Sequence, residues 1–256
     1  YGAIGCGGVI HTVNIRLFDE DLIYIMNHAE DRVLMYDAQF QPIIDRLKPH
    51  LKTVEHFIVF DSDDSYGALM RDMDGAFDWV MGDERDPCML CYTSGTTGNP
   101  KGVLYQHRST MLHSFAAALP DCIGFSARNI VLPVVPMFHV NAWGTPYAAA
   151  MVGCQLVLPG PGLDGSNLLK LIDAEQVDIA LGVPTIWQGL LMAAKDSGST
   201  LSSLKRTVVG GSACPPSMID TFRDVYGVDL IHAWGMTEMS PLGTSNQQLA
   251  KHAMLP

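Results

Sequence analysis

The sequence predicts an α/β protein with two packed, largely parallel sheets and flanking helices. Three observations carry that expectation. Short apolar segments alternate with helical patterns about ten residues long or longer, an order that calls for right-handed βαβ crossovers. The short segments hardly alternate in polarity, as strands covered on both faces should. Prolines stand where such a segment gives way to a helix (Pro184, and Pro215 with Pro216), the position at which a missing N–H does least harm.

Taken in order, Asp19 can cap a first helix in which Leu22, Ile23, Met26 and Ala29 recur on one face, and a strand over Arg32–Tyr36 follows. A helical pattern at Pro42–Leu47 precedes a β-rich stretch, Thr53–Phe60, that stops at the acidic turn Asp61-Ser62-Asp63-Asp64. The spacing then predicts a helix over Tyr66–Val80, a strand over Cys88–Thr93, a helix over His107–Leu119, a strand over Ile130–Val135, a helix over Ala142–Val152 and a strand over Gln155–Leu158. A helix at Ser166–Glu175, a strand at Asp178–Val183, a helix from Pro184 to near Ala194, a strand at Arg206–Val209, a helix opened by Pro215-Pro216 and a strand at Asp229–Trp234 complete the series. About eight to ten strands suit two sheets better than one. We expect a first subdomain over residues 1–128, a second over 129–242 and the start of a further region over 243–256, with Asn129–Pro136 as the crossing point.

Composition narrows the function. A chain of 256 residues, 48% of them apolar, fills a real core. Its 27 acidic residues outnumber its 16 basic ones, so no basic surface offers itself to a nucleic acid. The stretch Asn129–Leu163 lacks Asp, Glu, Lys and Arg, but Pro133, Pro136, Pro146, Pro159 and Pro161 interrupt it, which favours buried segments beside a pocket over a transmembrane segment. Scattered cysteines in apolar surroundings suit reduced thiols and a cytoplasmic location; Cys88 and Cys91 form a C-x-x-C with no second pair, inside a predicted strand. A start at Tyr1 without an initiator Met leads us to expect a piece of something longer.

One segment stands apart, Tyr92-Thr93-Ser94-Gly95-Thr96-Thr97-Gly98-Asn99-Pro100-Lys101-Gly102-Val103. Hydroxyls at Ser94, Thr96 and Thr97, glycines that let the backbone turn tightly, and the movable charge of Lys101 can converge on one anion. We expect this loop to leave a strand and enter a helix, where phosphate is well received. Pro100 before Lys101 departs from Walker A spacing, and an ordinary Ser/Thr/Gly connection is the plainer alternative.

The same twelve residues resemble the signature loop of the AMP-forming adenylate synthetases, the superfamily of acyl-CoA ligases, luciferases and peptide-synthetase adenylation domains. Pro136-Met137-Phe138-His139-Val140 resembles that superfamily's fourth motif, Gly210-Gly211-Ser212-Ala213 its adenine-side turn, and His232-Ala233-Trp234-Gly235-Met236-Thr237-Glu238 its fifth motif. His11-Thr12-Val13-Asn14-Ile15-Arg16-Leu17 is similar to a segment of the fatty-acyl and short-acid CoA ligases.

The resemblance implies a ligase that uses ATP and Mg²⁺ to convert a carboxylic acid to an acyl-adenylate and then to a CoA thioester. Its implied catalytic residues are Lys101, His139, Thr237 and Glu238. Nucleotide contacts fall on Thr93, Ser94, Gly95, Thr96, Thr97, Gly98, Lys101, Gly211, Ser212, Ala213 and the run His232, Ala233, Trp234, Gly235, Met236, Thr237. Glu238 and Thr96 are the implied metal contacts. The implied acid pocket is His139, Trp143, Gly144, Trp234, Gly235, Met236 and Pro241.

Each assignment has a plain alternative: a core histidine at His139, a simple strand-to-helix turn at Gly211–Ala213, core packing for the pocket residues, and a surface carboxylate at Glu238. A buried Glu238 would need a cation, and Mg²⁺ bridging ATP oxygens supplies one. Phe138-His139-Val140-Asn141-Ala142-Trp143 carries no carboxylate, unlike amino-acid-activating relatives, so an apolar acid is favoured, fatty or thioether-like, with aryl acids second. The expected partners are the acid, ATP and CoA, with a homodimer left open. The chain stops before the family's ribose-binding Asp motif, its hinge and its lysine-bearing C-terminal domain, so the piece alone is expected to be inactive or a nucleotide-binding remnant.

Overall fold

The computed structural model describes residues 1–93, 98–247 and 251. Contacts divide the chain into two compact units, Tyr1–Gln106 and His107–Pro256. The division falls before the helix that follows the signature loop, earlier than the expected boundary at 128/129, because that helix packs on a later helix of the second unit.

In the first unit, strands β1 (Ile10–His11), β2 (Val33–Tyr36), β3 (His56–Val59), β4 (Pro87–Thr93) and β5 (Lys101–Gln106) form two small sheets. β2 and β3 pair in parallel, and the other sheet has the order β1-β4-β5. Helices Asp19–His28 and Gln41–Leu47 bury Leu22, Ile25, Met26, Ile44 and Leu47 in a common cluster with Leu34. Asp19 does not cap its helix: Phe18 holds that position, and the Asp19 carboxylate accepts hydrogen bonds from Arg46 Nε (2.9 Å) and Nη2 (3.0 Å), tying the two helices together. The helix expected over Tyr66–Val80 ends at Met70. Gly75 at φ 78° and Asp74, whose carboxylate accepts the Ala76 N–H at 2.9 Å, favour a turn there instead.

The second unit is a six-stranded sheet covered on both faces. Its strands are β6 (Ile130–Pro133), β7 (Gln155–Leu156), β8 (Ile179–Gly182), β9 (Arg206–Val209), β10 (Asp229–Gly235) and β11 (Leu242–Ser245), in the order β11-β10-β9-β8-β6-β7. All neighbours are parallel except β10 and β11. Successive strand residues face opposite layers, as the period of two requires. Leu132, Ala180, Val209 and Leu230 join a core with Leu168, Ile172, Trp187, Leu190 and Phe222, while Val131, Ile179, Leu181, Val208 and Ile231 join another with Ala117 and Ala148. Helices Gly165–Glu175 and Pro184–Ser197 thus cover one face, and helices His107–Ala118 and Thr145–Val152 the other. Among the described residues no helix is long and apolar enough to cross a membrane.

Asp178 fastens the strand starts. Its carboxylate, nearly buried, accepts from Asn129 Nδ2 and from the Ile130 N–H, both at 2.9 Å, and its carbonyl accepts the N–H groups of Lys205 (2.9 Å) and Arg206 (3.0 Å). Removing the carboxylate leaves two part-buried donors without their acceptor. Asp178→Ala should therefore lower the free energy of unfolding by about 2 kcal/mol, read from urea denaturation, whereas an exposed control such as Asp173→Ala should leave it nearly unchanged.

Candidate active site at the strand ends

In an open parallel sheet, ligands are received beyond the carboxyl ends of the strands, at the point where the strand order reverses. In the second unit that point lies between β6, which leads outward to β7, and β8, which leads the other way to β9 and β10. Three of the sequence motifs leave the sheet at this edge. Pro136–Gly144 follows β6, Gly210–Ala213 follows β9, and the segment from His232 closes β10 and the turn beyond it.

After β6, His139 is exposed and its ring lies against Phe138, centroids 4.9 Å apart, which removes the core-histidine alternative. The helix expected from Ala142 begins at Thr145, because Val140, Asn141, Ala142 and Trp143 all take left-handed conformations (φ 48°, 46°, 55° and 53°). Left-handed turns of non-glycine residues are costly and persist only where packing over-determines them. Here Asn141 and Ala142 are buried, and Gly144, at φ 70°, completes the turn.

The motifs meet at Gly210. A Cβ there would lie 2.9 Å from Trp143 Cη2 and 3.4 Å from the Ala233 carbonyl oxygen, so only glycine lets the indole close over the backbone. β9 and β10 are in register, with Val209 opposite His232, which sets Gly210 beside Ala233. Gly211, Ser212 and Ala213 are exposed, and Val183, at the corner after β8, reaches to within 3.3 Å of a Cβ built on Gly211.

Along β10, the His232 N–H donates to Asn246 Oδ1 (2.6 Å), and β11 returns antiparallel. Trp234, Gly235 and Met236 are exposed, and Met236 N–H donates to the carbonyl of buried Pro241 at 3.0 Å, closing a turn that presents Thr237 and Glu238. Glu238 is exposed, so the argument that a buried carboxylate there needs a cation does not hold. Its carboxylate carries no hydrogen bond or ion pair among the described residues. No three His, Cys, Asp or Glu side chains cluster as a ready metal site among those residues.

In the first unit, the signature loop joins β4 to β5 as an antiparallel hairpin with Thr93 opposite Lys101; the helix expected directly after the loop begins only at His107. The loop therefore does not open a helix, and Lys101 is exposed at the start of β5. Ser94, Gly95, Thr96 and Thr97 lie outside the described residues. Thr93 Oγ1 donates to the Lys101 carbonyl at 3.4 Å, and exposed Gly98 has φ 119°. Tyr92, before the loop, shares a hydrogen bond of 2.7 Å between its hydroxyl and His28 Nδ1; burial, with Asp31 nearby, pushes its phenol up to about 12, so it stays protonated.

Sequence reasoning missed three of these contributors: Gly210 as the contact point, Val183 at its strand-to-proline corner, and His28. The first two sat in legible positions, a Gly-Gly pair after a strand and a Val-Pro before a helix. His28 gave no signal, since its partner is distant in sequence.

The second unit is thus a doubly covered, largely parallel sheet with three loops meeting at its carboxyl edge. The chain belongs to the AMP-binding enzyme family, whose model matches residues 1–256. It is 61% identical to the 3-methylmercaptopropionyl-CoA ligase of Ruegeria pomeroyi over 100% of this chain and 50% of that protein, and 56% identical to the medium-chain-fatty-acid–CoA ligase of Ectopseudomonas oleovorans over 100% and 49%. The chain thus spans about half the length of the curated relatives it matches. Among solved structures, an anthranilate CoA ligase in complex with anthranoyl-AMP superposes with a TM-score of 0.87 at 25% identity, over 96% of this chain and 49% of that one.

The floor of the turn carries a titratable group, His113, 8% exposed and pushed down by burial to about 4 from an ordinary 6.5. The unfolded chain takes a proton near pH 6.5 while the folded protein refuses it until about pH 4, so stability falls as pH falls through that window. The loss should total about 3 kcal/mol by urea denaturation between those limits, and His113→Asn should flatten it.

Proposed function

We propose that the full protein activates an apolar carboxylic acid. The acid's carboxylate oxygen attacks the α-phosphorus of ATP, the bond to pyrophosphate breaks, and the CoA thiolate then takes the acyl group from the adenylate and releases AMP. The observation that carries this reading is the meeting of Trp143, Gly210 and Ala233 at the sheet edge, in a chain of the AMP-binding family.

The protein's task is electrostatic and positional. Lys101 and the donors of Thr93, Ser94, Gly95, Thr96, Thr97 and Gly98 neutralise phosphate charge. Gly211, Ser212 and Ala213 admit a flat base to the backbone, and the run His232–Thr237 holds the adenylate. His139, Trp143, Gly144, Trp234, Gly235, Met236 and Pro241 line the acid side. Mg²⁺, when bound, shields the ATP oxygens. Glu238 suits it, because Mg²⁺ is commonly held by one or two carboxylates plus substrate oxygens and this one is exposed and uncommitted among the described residues. Thr96 offers a second contact.

No carboxylate lies in Phe138–Trp143 and Asn141 is fully buried, so nothing awaits a substrate ammonium. Short thioether and medium-chain acids lead, in keeping with the printed names of the similar ligases, and aryl acids follow. Six free cysteines fit a reducing cytoplasm.

The test is acid-dependent release of pyrophosphate and AMP by the full-length protein over a panel of thioether, fatty, aryl and amino acids with CoA. Silence across the panel with intact folding would leave a nucleotide-binding remnant, and ADP as product would exclude adenylation. In the active protein, Lys101→Ala and Glu238→Ala should each lower kcat/KM for ATP roughly a hundredfold or more; an unchanged value removes that residue from the site.

A further inference from the structure

We propose that His113 is a positioning residue for the acid pocket, its ring setting the left-handed turn that carries Trp143. The proposal rests on the adenylation reading above and adds a determinant that no motif contains.

His113 lies on helix His107–Ala118, which packs against helix Thr145–Val152 directly after the turn. The ring edge meets the turn at its last residue. A Cβ built on Gly144 would lie 2.5 Å from His113 Nδ1 and 2.7 Å from Cε1, so the imidazole occupies the space that any other residue's side chain would need. One residue earlier, Trp143 closes over Gly210 with no room for a methyl group. The turn is therefore held between an imidazole below and a glycine backbone above.

Four consecutive non-glycine residues at φ 46–55° would relax to extended or right-handed backbone unless packing forbade it. The ring beneath Gly144 and the burial of Asn141, Ala142 and Thr145, all 2% exposed or less, are what forbids it. An uncharged ring is needed there, because a cation would bring its hydration shell into the contact. Burial keeps His113 neutral down to about pH 4. Displacing the ring should move Trp143 off Gly210 and widen or close the acid side while leaving the Gly211–Ala213 turn in place.

The test is a double-mutant cycle in the full-length protein with His113→Ala, Gly144→Ala and the pair. Each single variant should raise KM for the acid about tenfold or more with KM for ATP within about twofold, and the pair should cost less than the product of the two, since the void left by one accepts the methyl of the other and leaves only the backbone strain of a Cβ at φ 70°. Quenching of Trp143 emission by acrylamide, isolated with a Trp143→Phe reference, should rise in both single variants. Gly144→Ala probes the contact without altering the helix, so a poorly folding His113→Ala does not block the test.

Multiplicative effects on acid KM, equal shifts in both KM values, or a lowered Tm with unchanged KM and quenching would each overturn the proposal. If no acid on the panel supports turnover even in the wild-type protein, the adenylation reading fails on its own. The fluorescence cycle still decides whether His113 sets the position of Trp143.

Discussion

The second unit depends on burying a parallel sheet from both sides. Val131 and Leu132, Ile179 and Ala180, Val208 and Val209, Leu230 and Ile231 send alternate side chains into two separate cores. Each strand residue removed from water contributes through apolar burial, and helices must cover both faces to collect it. With both faces closed, loops are left to the two ends of the strands, and the carboxyl ends are where an open parallel sheet receives ligands. The opposite edge can be given over to fastening, which is where Asp178, Arg206 and Asp229 bind strand starts to one another.

At the receiving edge the demand reverses, from bulk to close approach. Gly210 admits an indole, Gly211 faces Val183, and Gly235 takes the Pro241 carbonyl where a Cβ would sit. Small residues there do not signal flexibility. They are the sites at which two backbones, or a backbone and a flat ring, must touch, and the left-handed turn at 140–144 is the backbone's accommodation to the same demand.

Much of this was legible. The β6, β8, β9 and β10 strands and the helices at Asp19, Pro184 and Ser166 were readable from apolar spacing and proline corners, whereas the Asp164 cap, whose carboxylate accepts the Asn167 N–H at 3.0 Å, was not read. What escaped was structure dictated by partners remote in sequence. β5 reads as a continuation of the loop until it is laid against β4, Leu104 opposite Leu90 and Val103 opposite Cys91. β11 is short and polar because it is an edge strand. The Ala142 helix start was overridden by tertiary contact with His113, which no local pattern encodes. The burial weighed for Glu238 does not occur, because its apolar neighbours in sequence, Trp234, Met236 and Met239, are themselves exposed at the rim.

That exposed rim changes the electrostatic argument. A protein of net charge −11 cannot attract polyanions through its overall field, and a carboxylate kept in water has a weak field of its own. Exposed at the rim, Glu238 escapes the desolvation cost that a buried carboxylate would carry. Beneath the neighbouring turn the reverse holds: His113 is useful because it is uncharged and dry. Charge at the rim and neutrality in the floor follow from one condition. An exposed group keeps its hydration, and the shape of the turn is held by groups that are buried from water.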